Sequence, residues 1–155
     1  MNAALFDAYR RTTFIAYTPK GRLYLRVGQR CVELDDLLTD HGVTTWAYVT
    51  AFNPGSVRLR GQENSTRQRG LERSVAALGF ASYPGEGVGD DGRWQPEPSL
   101  LILGIGRNDA LRLGQEYGQL AVVYGELGQD VELGVCVRTS GALRAVWPGL
   151  PFRSP

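Results

Sequence analysis

The sequence predicts an α+β (mixed α/β) fold: a single mixed sheet with strand–helix–strand crossovers and helices packed on it. Three observations carry this. Two strand–helix–strand passages, 44–83 and 99–124, follow one another along the chain. Hairpin-like runs flank them, and Val131, Leu133, Val135 and Val137 alternate strictly with polar or small residues. Between the strands, Leu71, Val75 and Leu78 stand at i, i+4 and i+7, the stripe of an amphipathic helix.

Taken in order, Leu5, Phe6 and Tyr9 share one face of a short N-terminal helix. Residues 14–17 and 23–27 are strand-like, separated by the turn Thr18-Pro19-Lys20-Gly21. Residues 34–38 form a short helix ending near Gly42, with His41 as its cap. The β-branched and aromatic run 44–52 is a strand that stops at Asn53-Pro54. The helix of 62–78 follows and is closed by Gly79. Seven residues before Leu71 lies Asn64, about 20° off the same stripe, with Gln68 one turn on. The face that is apolar downstream therefore begins as amide.

Residues 80–83 are a short strand and 84–92 an acidic, glycine-rich loop. A buried strand, 99–103, leads to a helix over 108–117 capped by Gly118. Residues 120–124 and 131–137 are the last strands. The organisation is one domain, 1–146, followed by an irregular Pro-rich tail, 147–155, whose Trp147 and Phe152 suit a docking segment.

Composition narrows the function classes. Hydrophobic residues at 43% and charged residues at 21% are ordinary for a soluble globular chain. A net charge of +1 gives no general attraction to nucleic acid or anionic membrane. The longest apolar runs, 100–103 and 120–124, fall far short of the ~20 residues that span a bilayer. Asp7 sits where an export signal would need an apolar core, so the expected setting is the cytoplasm. Cys31 and Cys136 read as free, structural thiols.

His41 is the sole histidine, so no Ser-His or Cys-His pair and no zinc cluster is expected. Gly85, Gly87 and Gly89 are interleaved with acids and do not open a helix. Gly104-Ile-Gly106 lacks the third glycine, which is Asp109 here. No cofactor or metal is therefore expected.

The residues that carry chemistry gather around Asn53. One reading makes Asn53 a turn former bonding to its own backbone. The other makes it an amide offered to a ligand, with Asn64 on the neighbouring helix face. Trp94 and Glu97 precede a buried strand, and Pro96 and Pro98 restrict Glu97 on both sides. A carboxylate held against an indole suits general acid or base work, and a structural ion pair is the plain alternative. Residues 58–73 hold five arginines against two acids, and 86–97 hold four acids against one arginine. Arg58, Arg60 and Arg67 around a helix start suit an anion, or a solvated face partnering the acidic loop.

The order and spacing of these pieces resemble an uncharacterised bacterial family, domain of unknown function 3293. The carrying residues are Thr50-Ala-Phe-Asn-Pro54 with Ser56, then Asn64, Gly79-Phe80, Trp94, and Glu97-Pro98-Ser99. Tyr117-Gly118-Gln119 completes them, with Tyr117 where the pattern suggests Phe. The likeness runs from about Tyr9 to Tyr124. It implies that Asn53, Asn64, Trp94, Glu97, Ser99 and Gln119 form one constellation, and it supplies no activity. The expectation is a protein that binds a polar or anionic small molecule at a sheet edge, with Asn53, Asn64, Arg67, Trp94, Ser99 and Gln119 as ligands. Alternatives are an enzyme with Glu97 as general acid or base, and a non-catalytic interaction or regulatory protein. Neither nucleic acid nor membrane is an expected partner.

Overall fold

The structure is a computed structural model that describes residues 3–139 and 142–146. Its elements are α1 (Ala3–Arg10), β1 (Thr12–Thr18), β2 (Gly21–Leu25), α2 (Val32–His41), β3 (Thr45–Val49) and α3 (Gly61–Ala77). There follow β4 (Ala81–Gly89), β5 (Glu97–Leu103), α4 (Arg107–Glu116), β6 (Ala121–Glu126), β7 (Glu132–Thr139) and β8 (Ala142–Val146). One eight-stranded sheet runs in the order β2-β1-β4-β5-β3-β6-β7-β8.

The α+β class and the single sheet agree with the sequence reading, while the strand directions refine it. Every hydrogen-bonded pairing described is antiparallel. The two crossovers exist, but each skips a strand. β3 and β4 point the same way with β5 between them, and β5 and β6 point the same way with β3 between them. This interlocked pair of split βαβ units is the ferredoxin-like arrangement, extended by the β1–β2 hairpin on one side and β7–β8 on the other. Because β3 and β5 are antiparallel, the helices that follow them start at opposite ends of the sheet. The two helix N-termini therefore do not share one edge: the end where α3 begins is where α4 stops and β5 starts.

The sheet separates two cores because side chains alternate across it. Trp46 and Tyr48 of β3, Leu101 and Leu103 of β5 and Val123 of β6 face one way, joining Leu34, Leu37 and Leu38 of α2. Ala47, Val49, Leu100, Ile102 and Val122 face the other way, against Leu71 and Val75 of α3 and Leu111 and Leu113 of α4. Burial on both faces explains why the central strands are apolar without interruption.

Three local expectations need correcting. Residues 84–89 are strand rather than loop, because β4 pairs with β1 on one side and β5 on the other. Gly85 makes this possible: a Cβ there would sit 2.1 Å from the Ile15 carbonyl oxygen. Leu78 is 59% exposed rather than part of the buried stripe: it is the C-cap of α3, beyond Val75, the last buried residue of the helix. β8 was not read from the sequence at all. His41 ends α2, where its Nε2 lies 2.9 Å from the Tyr83 hydroxyl. Both cysteines are free. No helix among the described residues is long and apolar enough to cross a membrane. The tail from residue 147 lies outside the described residues.

Candidate functional site

Leaving β3 at Val49, the chain runs off the sheet, so its backbone groups need partners elsewhere. They find them on α3. The Ala51 N–H donates to Gln68 Oε1 at 3.0 Å, and the Ala51 carbonyl accepts Arg67 Nε at 2.9 Å. Asn53 then adopts the left-handed region at φ 47° and ψ 63°, a conformation asparagine tolerates better than most residues. Ser56 is also left-handed, at φ 62°.

Asn53 is held there by Asn64. The Asn53 N–H donates to Asn64 Oδ1 at 2.8 Å, and Asn64 Nδ2 donates back to Asn53 Oδ1 at 2.8 Å. The Leu59 N–H donates to Asn53 Oδ1 at 3.0 Å. Asn64 and Gln68 are both buried, which is why the helix stripe begins as amide: its first turns cover a loop backbone rather than a core. Gln119 works the same way from beyond α4, donating to the Phe52 carbonyl at 3.0 Å and the Tyr117 carbonyl at 3.2 Å. The Gly55 N–H reaches the Gly118 carbonyl at 2.8 Å. Arg67 also donates to the Tyr117 carbonyl.

One Asn53 bond points away from this clamp. Its Nδ2 donates to Glu97 Oε1 at 2.8 Å, and Trp94 Nε1 donates to the same oxygen at 2.7 Å. Glu97 opens β5 and is half-buried. Its Oε2 takes no partner among the described residues. The Ser99 hydroxyl donates to the Glu97 carbonyl at 2.9 Å, and Thr50 Oγ1 to the Pro98 carbonyl at 2.7 Å.

These groups border a cavity of about 700 Å³ between α1 and the sheet. Phe14, Tyr48, Ser99, Ala121 and Val123 line it from the sheet, and Leu5, Ala8 and Tyr9 from α1. Asn53, Ser56, Trp94, Glu97 and Gln119 line its end. Asn64 and Arg67 do not line it; they lie behind the loop. Arg58 is stacked on Trp94, 4.5 Å from the ring. The five lining residues singled out from sequence are thus Asn53, Trp94, Glu97, Ser99 and Gln119.

Sequence reasoning missed Tyr9, Phe14 and Tyr48 as site residues: there Tyr9 belongs to a helix face and the other two to strand runs. Tyr9 stacks on Phe14 with centroids 6.1 Å apart, and Phe14 meets Tyr48 edge-on at 5.4 Å. Burial, reinforced by the charge of Glu97, pushes the Tyr9 phenol well above its usual range. Burial likewise pushes Tyr48 up, and its hydroxyl donates to the Ile15 carbonyl at 2.7 Å. Both phenols therefore stay protonated at neutral pH. At the mouth, the Arg26 guanidinium beside Asp90 holds that carboxyl below its usual range. No group of three or more His, Cys, Asp or Glu among the described residues is placed to hold a metal ion.

Residues 49–122 match the model of a family described as Protein of unknown function (DUF3293). That span contains the whole clamp, Asn53 to Gln119, but neither α1 nor Tyr48. No curated protein and no solved structure matches the chain.

Proposed function

We propose that this chain, whose residues 49–122 match the DUF3293 family model, binds a polar small molecule in the cavity beneath α1. The observation that carries this reading is the state of Glu97. One carboxylate oxygen is fixed by Asn53 and Trp94, and the other has no partner among the described residues and lies beside a ligand-sized cavity. Apolar walls with a few placed polar groups are what small-molecule sites are made of. The clamp fits the same reading: Asn64, Gln68, Arg67 and Gln119 hold the loop, and the loop holds Glu97. In this account the protein is a bacterial, cytoplasmic binder.

The test is a thermal-shift screen against nucleotides, phosphosugars, amino acids and amines, with Glu97→Ala run alongside. A ligand class that raises the wild-type midpoint by several degrees and leaves Glu97→Ala unmoved supports the reading. A screen with no hit, or hits that survive in Glu97→Ala, sinks it. A second reading, an enzyme with Glu97 as general acid or base, draws on the same free oxygen together with the protonated Tyr9 phenol in the same cavity. It requires that a bound compound be turned over by the wild type and not by Glu97→Gln.

A further inference from the structure

Resting on that reading of the cavity, we propose that the group it recognises is a cation, an ammonium carried on an apolar or aromatic body. The ammonium would sit at Glu97 and the body along Tyr9, Phe14 and Tyr48.

The charges around the cavity support this choice over an anion. Among the described residues that line it, Asp7, Asp90, Asp91 and Glu97 are acidic and Arg11 alone is basic. Asp90 is already neutralised, since Arg26 reaches its two carboxylate oxygens at 3.0 and 2.8 Å. Asp7, Asp91 and Glu97 remain against Arg11. Arg67, which the sequence offered as a ligand-binding residue, donates to the carbonyls of Ala51 and Tyr117 and does not line the cavity. Arg58 lies over Trp94 and is not among the lining residues. An anion entering here would meet three carboxylates and one guanidinium.

The geometry of Glu97 adds direction to this charge. Asn53 Nδ2 and Trp94 Nε1 both donate to Oε1, so the carboxylate is oriented before any ligand arrives. That leaves Oε2 as an acceptor, which an ammonium satisfies with a charge-assisted bond. Next to it, Tyr9, Phe14 and Tyr48 form a contiguous aromatic wall. Aromatic surface takes an apolar body, and ring faces attract cations as well. A neutral ligand would gain from the wall and little from the carboxylate. A cation with an aromatic body uses both.

Three probes of matched size separate the cases: 2-phenylethylamine, 2-phenylethanol and 3-phenylpropionate, titrated calorimetrically into the full chain at low salt. The amine is expected to bind at least tenfold more tightly than the alcohol, with the carboxylate weaker than either. Glu97→Gln keeps an acceptor for Asn53 and Trp94 but replaces the free oxygen by an amide donor. It should weaken the amine by roughly ten- to hundredfold, the range for a hydrogen bond to a charged group, and leave the alcohol unchanged. Its melting midpoint, measured in parallel, should stay within a few degrees of wild type. Carboxylate binding as tight as amine binding overturns the inference, as does amine affinity that Glu97→Gln leaves intact. Failure of the amine to bind at all overturns it too. In each of these cases the cavity reading survives separately, provided some ligand in the wider screen is lost in Glu97→Ala.

Discussion

Replacing Asn64 by alanine tests the clamp directly, because this buried side chain does three jobs with one amide. It accepts the Asn53 N–H at 2.8 Å, donates to Asn53 Oδ1 at 2.8 Å, and donates to the Leu59 carbonyl at 3.4 Å. Alanine removes all three. The two short bonds are worth about 1 kcal/mol each, and leaving the Asn53 N–H without a partner adds about 1 kcal/mol or more. A loss of about 3 kcal/mol follows. For a chain of this size that lowers the melting midpoint by about 6–12 °C. Thermal and urea denaturation followed by circular dichroism measure it, and amide hydrogen exchange locates it. The Asn53 and Leu59 amides should lose protection, while those in the middle of α3 exchange at rates set by global stability alone. A midpoint within about 2 °C of wild type, with both loop amides still protected, would refute the idea that Asn64 holds the loop.

Two further perturbations probe other parts of the design. Gly85→Ala places a Cβ 2.1 Å from the Ile15 carbonyl oxygen and 2.6 Å from the Tyr48 hydroxyl, and overpacking of this kind costs about 3 kcal/mol when backbone must move. The variant should express poorly or melt at least about 6 °C lower, and adding Tyr48→Phe should not restore it, because the backbone contact remains; a wild-type midpoint would contradict the tight β1–β4 approach. Burial pushes the Cys136 thiol up to about 11, above the ~8.5 of a free thiol. Below the lower value both states are protonated, so nothing is lost; between the two values only the unfolded chain releases its proton, and stability falls as pH rises. Urea midpoints at pH 8 and pH 10 should therefore drop more for wild type than for Cys136→Ala, and equal drops would show that the thiol is not buried as described.

How much of this was legible beforehand follows from the range of the interactions involved. The amide-to-apolar switch along α3 is helical periodicity, a property of residues three and four apart, and Asn64, Gln68, Leu71 and Val75 could be placed on one face without any tertiary knowledge. The Asn53-Pro54 stop, the restricted Glu97 and the Gly118 cap were equally local. Their convergence was suggested only by the order of elements and by a family likeness. The structure shows its cause, a loop whose stranded backbone is bonded by side chains from α3 and from the α4–β6 connection.

Other features depended on contacts that local pattern does not encode. Residues 84–89 carry the chemistry of a turn, yet two neighbouring strands hold them extended, and Gly85 is needed for its missing side chain rather than for a turn. Arg67 looked like an anion ligand because a guanidinium advertises charge, but two carbonyls that come within its reach only on folding took its donors. Tyr9, Phe14 and Tyr48 became a cavity wall once α1 was laid across the sheet. The sequence by itself determined most of the elements, their amphipathic faces and the polar residues that mark one end of the sheet, all from short-range periodicity and turn chemistry. Tertiary structure alone decided which strands the crossovers skip, which amides bind backbone and which carboxylate oxygen stays free, because those outcomes rest on pairings between residues far apart in the chain.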